Sequence, residues 1–332
     1  MTVNGINFKD ISVIVQGAVD PVNTKLCLKS IRRHLPGAEI ILSTWKGADV
    51  EGLIYDQLVL NDDPGGYVYP ESGKIMNLNR QIVSTFNGIK KSTKKYCLKL
   101  RGDLILTSHN FLRYFGKYPN RETEYIFFEE RVTFISIFFL KHLRMVTRGV
   151  HPAPFHISDW IMFGLREDVT KLFDIELVKE PDFSLYMSGK AGRTIKGIFS
   201  GYSLQYFAEQ YILYKSVKKY FTNGLVPLFE DSYDFNTENM VFYEKLVANN
   251  FIILEPYQFS VYCAKEDWYQ PYKAWTKYYL TMPYVIFEGL YRHDVFLEDY
   301  KKYCDTNFKI PRKVKIRLFI YNKFHKFFER GH

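Results

Sequence analysis

Within its first hundred residues the chain runs strand, helix, strand, strand, helix, strand, each piece short and closed by turn residues, and few folds accept that order. Ile11-Ser-Val-Ile-Val-Gln16 is a β-branched run that stops at Gly17. Asn23 or Thr24 can cap a helix that carries Leu26, Leu28, Ile31 and Leu35 and stops at Pro36-Gly37. A second strand follows at 39–44 and a third at 57–60, which runs into the turn cluster Asn61-Asp62-Asp63-Pro64-Gly65-Gly66. Asn79 can cap a second helix through Lys91, with Ile82, Val83, Phe86 and Ile89 on one face, leading to a strand at 96–100. Short apolar strands alternating with helices predict an α/β fold with a mostly parallel sheet covered on both faces.

Such sheets bind ligands outside the carboxyl ends of their strands. Here those ends deliver Gln16-Gly17, Thr44-Trp45, Asp62-Asp63 and Arg101-Gly102-Asp103. Asp103 breaks the run KYCLKLRGDLIL (95–106) and places a carboxylate where metal-binding or phosphate-handling groups sit. A dinucleotide site calls for GxGxxG after the first strand, but QGAVDP has one glycine, and no GxxxxGK[ST] phosphate loop is present.

The later chain is less regular. Residues 125–129 read as a strand, 132–140 as buried core with helix or strand left open, 167–173 as a short helix and 204–220 as a longer one. Phe155-His-Ile-Ser-Asp-Trp160 is a polar interruption in a strand-like stretch that runs to Phe163. Residues 181–201, rich in Gly, Ser and Lys, read as a surface loop.

Composition narrows the classes. With 47% hydrophobic and 17% aromatic residues, the 332-residue chain has ample material for a core. Cys27, Cys97, Cys263 and Cys304 form no CxxC or Cys/His cluster, so neither zinc nor a disulfide framework is indicated. The N-terminus has no signal-peptide pattern and no apolar stretch is long enough for a bilayer, which points to the cytoplasm. The net charge of +9 is concentrated at the C-terminus: residues 301–332 hold ten Lys/Arg against Asp305 and Glu329. The remainder is almost neutral, which argues against nucleic acid as a partner. If residues 312–330 are helical, Lys315, Lys323, Lys326 and Arg330 gather beside Ile316, Ile320, Phe324, Phe327 and Phe328, while Lys313 and Arg317 fall among the apolar positions. Basic charge beside aromatics suits an anionic membrane surface; a terminal helix packed on the body is the alternative.

The segments ISVIVQG (11–17), CLKSIRRHLPGAEIILSTWKG (27–47), NDDPGG (61–66), NRQIVSTFNGIKK (79–91), YCLKLRGDLIL (96–106), HISDWIMFGL (156–165) and AEQYIL (208–213) together resemble the WavE lipopolysaccharide-synthesis family. Small departures stand at QGAV, RGD and AEQY, where the family favours QGPV, RSD and PEQY. The resemblance implies a GT-A-type glycosyltransferase with a half-Rossmann donor sheet, working in lipopolysaccharide, O-antigen or capsule assembly. It implies one catalytic domain over 1–300, with a donor half to about 110 and an acceptor half beyond, followed by the basic tail at 301–332. The expected partners are a nucleotide-diphosphate sugar, a lipid-linked glycan acceptor and the cytoplasmic face of the inner membrane.

Expected roles follow from the chemistry of a diphosphate leaving group, whose growing charge needs cationic partners. Asp103 is the candidate ligand for Mg²⁺ or Mn²⁺, or else acts through hydrogen bonds or as a turn residue; Arg101 replaces the first acid of a DxD motif and can pair with phosphate itself. Gln16 and Gly17, Thr44 and Trp45, and Asp63 are candidate donor contacts, with Trp45 equally suited to the core. Asn79-Arg80 at a helix start can meet phosphate, or Arg80 can form a surface ion pair. Asp159 and Glu209 are the two carboxylates for acceptor and base work, with Asp159 the first choice and Glu209 otherwise a helix-surface residue. His156 reads as an orienting or core histidine. A sugar nucleotidyltransferase would need a Gly-rich basic loop after the first strand, and a non-enzymatic membrane-surface scaffold would leave the polar strand ends without a purpose.

Overall fold

Short buried apolar runs, closed by turn residues, form the strands of a mixed seven-stranded sheet. The computed structural model describes residues 1–68, 75–137, 139, 141–145, 149–179, 205–231, 234, 236–264 and 291–319. In chain order the elements that matter here are β1 (Ile11–Gln16), α1 (Asn23–His34), β2 (Glu39–Trp45), β3 (Gln57–Asn61), α2 (Leu78–Lys91), β4 (Tyr96–Arg101) and β5 (Leu104–Leu106). They continue with β6 (Val132–Ile135), β7 (Ile161–Leu165), α3 (Arg166–Phe173), α4 (Ala208–Tyr220), α5 (Thr237–Asn250), β8 (Phe251–Leu254), β9 (Val261–Cys263) and α6 (His293–Tyr303).

The sheet order is β8-β6-β7-β4-β1-β2-β3. Neighbours are parallel except on both sides of β7, which runs against β4 and β6. The expected mostly parallel α/β class is therefore present. β1 is buried at every position, as a central strand with both faces covered must be. Chain order leaves β1 toward β2 on one side and meets β4 on the other, so a topological switch lies at the carboxyl ends of β1 and β4. β5 leaves the main sheet and pairs with β9. Strands from both halves of the chain share one hydrophobic core.

Several expectations change in detail. α2 starts after Asn77, which makes no side-chain capping bond, and Asn79 lies inside its first turn, where its amide exchanges hydrogen bonds with the backbone of Val178 at 2.8 and 2.9 Å. Leu26 is on the solvent side of α1, and Cys27 takes its place in the core. Residues 132–140 resolve as a strand at Val132–Ile135. Residues 126–129 form no strand: the N–H groups of Phe127 and Phe128 go to Oδ1 of Asn250, and those of Glu129 and Glu130 to the Asp168 carboxylate. Side chains satisfy donors that a neighbouring strand would have taken, so the apolar run buries its rings without a ladder. The loop expected at 181–201 lies outside the described residues.

No helix among the described residues is long and apolar enough to cross a membrane. The tail is helical over 312–319, where Val314 and Leu318 are buried against the body. Arg317, which the helical projection sets among the apolar positions, forks the Asp294 carboxylate at 2.5 and 2.8 Å. Ile316 and Phe319 face solvent beside Lys313 and Lys315. Residues 320–332 lie outside the described part.

Candidate functional site

A cavity of about 950 Å³ opens at the carboxyl ends of β1, β2 and β4. Gln16, Gly17, Trp45, Asp63, Arg80, Arg101, Asp103, Asp159 and Glu209 all line it. Thr44 and Asn79 do not. Pleating turns Thr44 inward, where its hydroxyl is fully buried without a hydrogen-bond partner among the described residues, while the next residue, Trp45, reaches the cavity.

β1 ends at Gln16, whose Oε1 accepts from the Ser84 hydroxyl at 2.8 Å. That fixes the amide and leaves its NH₂ for the cavity. Gly17 turns the chain away at φ 111°, a conformation that disfavours any side chain. Asp20 then accepts from the N–H groups of Val22 and Asn23 at the entry to α1.

Two arginine–aspartate forks border the cavity. Arg80, in the first turn of α2, binds Asp63 with Nε and Nη2, both at 2.7 Å. Hydrogen bonding to Arg80 holds the Asp63 carboxyl below its ordinary pKa. Gly66 makes room for this pair: a Cβ there would stand 2.4 Å from Ile75 Cγ2 and 2.9 Å from Arg80 Nη1. At the end of β4, Arg101 gives Nε and Nη2 to the two oxygens of Asp103 at 3.0 and 2.5 Å. The guanidinium also stacks 4.5 Å from the Trp160 ring centroid. Burial works against the charge of Arg101, yet Asp103 more than offsets it and keeps its pKa above the ordinary value.

Asp159 and Glu209 come from distant segments. Asp159 lies just before β7, and its Oδ2 accepts from Nε2 of Gln81 on α2. Glu209 is in the first turn of α4. Burial, then the negative charge of Asp159, pushes the Glu209 carboxyl up to about 8. His156 is buried with Nε2 3.8 Å from Glu209 Oε2.

Local sequence pattern does not single out Lys99, Gln81, Asp20 or Phe207 as site residues. Lys99 carried a signal, a lysine inside an otherwise apolar central strand. It is fully buried, donates to the Asp159 backbone carbonyl and has its pKa lowered to about 8, by burial above all. Gln81 is the neighbour of Arg80 and had no signal of its own. Asp20 could have been found as a capping carboxylate three residues before Asn23.

A metal centre supplied by the protein alone does not fit. Hard cations need several oxygen ligands. Both oxygens of Asp103 are taken by Arg101, and among the described residues no group of three or more His, Cys, Asp or Glu is placed to hold an ion.

A family model described as WavE lipopolysaccharide synthesis matches residues 11–332. No curated protein matches the chain. The chain belongs to the WavE lipopolysaccharide synthesis family.

Proposed function

We propose that this member of the family is a glycosyltransferase that moves a sugar from a nucleotide-diphosphate donor to a glycan acceptor of lipopolysaccharide, O-antigen or capsule. One observation carries the reading: a cavity of about 950 Å³ at the strand ends holds two arginines and a pair of interacting carboxylates. Its volume suits a nucleotide sugar. Gln16 and Trp45 offer an amide donor and an aromatic face to the nucleoside, and Arg80 and Arg101 offer charge to the diphosphate.

In the proposed reaction the acceptor hydroxyl gives its proton to Glu209 as its oxygen bonds to the donor's anomeric carbon. The bond from that carbon to the diphosphate breaks, and the leaving oxygen keeps the electron pair. Glu209 is preferred to Asp159 as base because a carboxyl near pH 8 is a stronger proton acceptor close to the working pH. Asp159 raises that basicity and, held by Gln81, can orient the acceptor. The acceptor would be lipid-linked, met at the cytoplasmic face of the inner membrane. Exposed Ile316 and Phe319 beside Lys313 and Lys315 support a tail that touches anionic lipid.

The test is release of nucleoside diphosphate from a panel of nucleotide sugars in the presence of membrane glycolipid acceptors, with wild type and Glu209→Gln. The reading expects acceptor-dependent release from one donor, and a loss of about a hundred-fold or more in kcat with Glu209→Gln. Absence of release from every donor, with acceptor present, would sink it.

A further inference from the structure

Two of the carboxylates that border the cavity are each closed on an arginine. Arg101 and Asp103 form one closed fork, and Arg80 and Asp63 the other. Asp20 is spent on the entry to α1, the raised carboxyl of Glu209 retains its proton at neutral pH, and the Lys99 ammonium lies behind Asp159. A divalent cation on Asp103 would compete with the guanidinium for the carboxylate and sit beside it, three positive charges over one carboxylate.

Arg101 is built to serve an anion instead. The Trp160 ring and the Asp103 fork set the plane of its guanidinium. Nη1 takes no part in that fork, and the side chain, 31% exposed, lines the cavity. Arg80 is similarly held and 30% exposed. Asn77 and Leu78, at the start of α2, also line the cavity, and the Asn77 side chain makes no capping hydrogen bond to that end of the helix. Its first N–H groups therefore add positive potential to the same space.

We infer that the diphosphate of the donor is bound without a divalent cation, Arg101 supplying the charge and Asp103 acting as the residue that orients Arg101. This rests on the nucleotide-sugar reading above and names how that site handles its anion. Asp103 is then a positioning residue.

The experiment is calorimetric titration of the full chain with uridine, guanosine, cytidine, adenosine and thymidine diphosphates, in EDTA and in Mn²⁺. At least one should bind, with dissociation constants in the two buffers equal within about two-fold. Arg101→Lys, which keeps charge but loses the fork, should weaken binding by about ten- to a hundred-fold in both buffers. Asp103→Asn should weaken it by one factor common to both buffers. Arg80→Gln, at a more exposed pair, keeps the question answerable if an Arg101 variant does not fold, and it too should weaken binding in EDTA. Binding that requires Mn²⁺ and vanishes only in its presence with Asp103→Asn would overturn the inference and leave the transferase reading standing. Absence of binding to every diphosphate in both buffers would overturn both.

Discussion

Lys99, fully buried in the central strand β4, gives its ammonium to the backbone carbonyl of Asp159, 60 residues away in sequence. The strand that ends in Arg101 and the segment that carries Asp159 are thus tied at one point. β7 makes this possible by pairing antiparallel with β4, with Met162 opposite Lys99 and Ile161 opposite Leu100. A shift in that register would separate Asp159 from Glu209 and Gln81 together.

Replacing Lys99 by Met should reveal its titration. The folded pKa is lowered to about 8 from 10.5, so between those values the unfolded chain binds more protons and stability rises with pH. Thermal melting from pH 8 to 10 should therefore rise in the wild type relative to Lys99→Met. Parallel curves for the two proteins would count against the assignment. Turnover should fall in the variant with little change in donor affinity, because the lost contact orients Asp159 and touches no donor.

Glu209 behaves in the opposite sense. Its folded pKa is raised from 4.5 to about 8, so the stability it contributes is complete below 4.5 and is lost as pH rises toward 8. Glu209→Gln should remove that loss and melt higher than the wild type at pH 8, with the difference shrinking toward pH 5. The rate of the wild type should climb through the same window as the base loses its proton. A wild-type rate that is flat across it would leave Glu209 without the role of base.

Asn250 holds the irregular segment ahead of β6. Its Oδ1 accepts from Phe127 and Phe128, and its Nδ2 donates to the carbonyls of Tyr125 and Leu246. The side chain is fully buried, so Asn250→Ala strands several backbone groups and should cost about 3 kcal/mol in urea unfolding. A cost below about 1 kcal/mol would mean that water or a local shift replaces these bonds.

The tail is fastened by Arg317 and Asp294, whose side chains are 43% and 12% exposed. A double-mutant cycle on Arg317→Ala and Asp294→Ala should return a coupling of about 0.5 kcal/mol at physiological salt, since water and ions screen a pair this open. Binding to vesicles of anionic lipid should fall when Ile316 and Phe319 are changed to Ser, with melting unchanged. Vesicle binding indifferent to both changes would remove these side chains from the membrane contact.

Most of the residues that line the cavity are legible in the chain, for a local reason. Strand ends are marked by where β-branched runs stop, and in a parallel sheet those ends fall on one side, so Gln16, Trp45, Asp63, Arg101 and Asp103 had to converge. Pleating alone separated Thr44 from Trp45, and a helix start shifted by two residues turned Asn79 away from the cavity and toward Val178. The stretch at 125–129 looked like a strand because local pattern records apolarity, whereas its hydrogen bonds come from Asn250 and Asp168 far along the chain.

The α/β class, the order of the first strands and the polar groups at their ends all follow from periodicity and from turn residues a few positions apart. The reversal of β7, the meeting of Lys99 with Asp159, the raised Glu209 carboxyl and the closure of Arg101 on Asp103 arise from packing. The first three join residues tens of positions apart. The last joins near neighbours, but its geometry depends on the Trp160 ring and on burial. Charge and hydrogen bonding act through space, so the partner of a buried polar group is set by how the chain is packed and not by what stands beside it in the sequence.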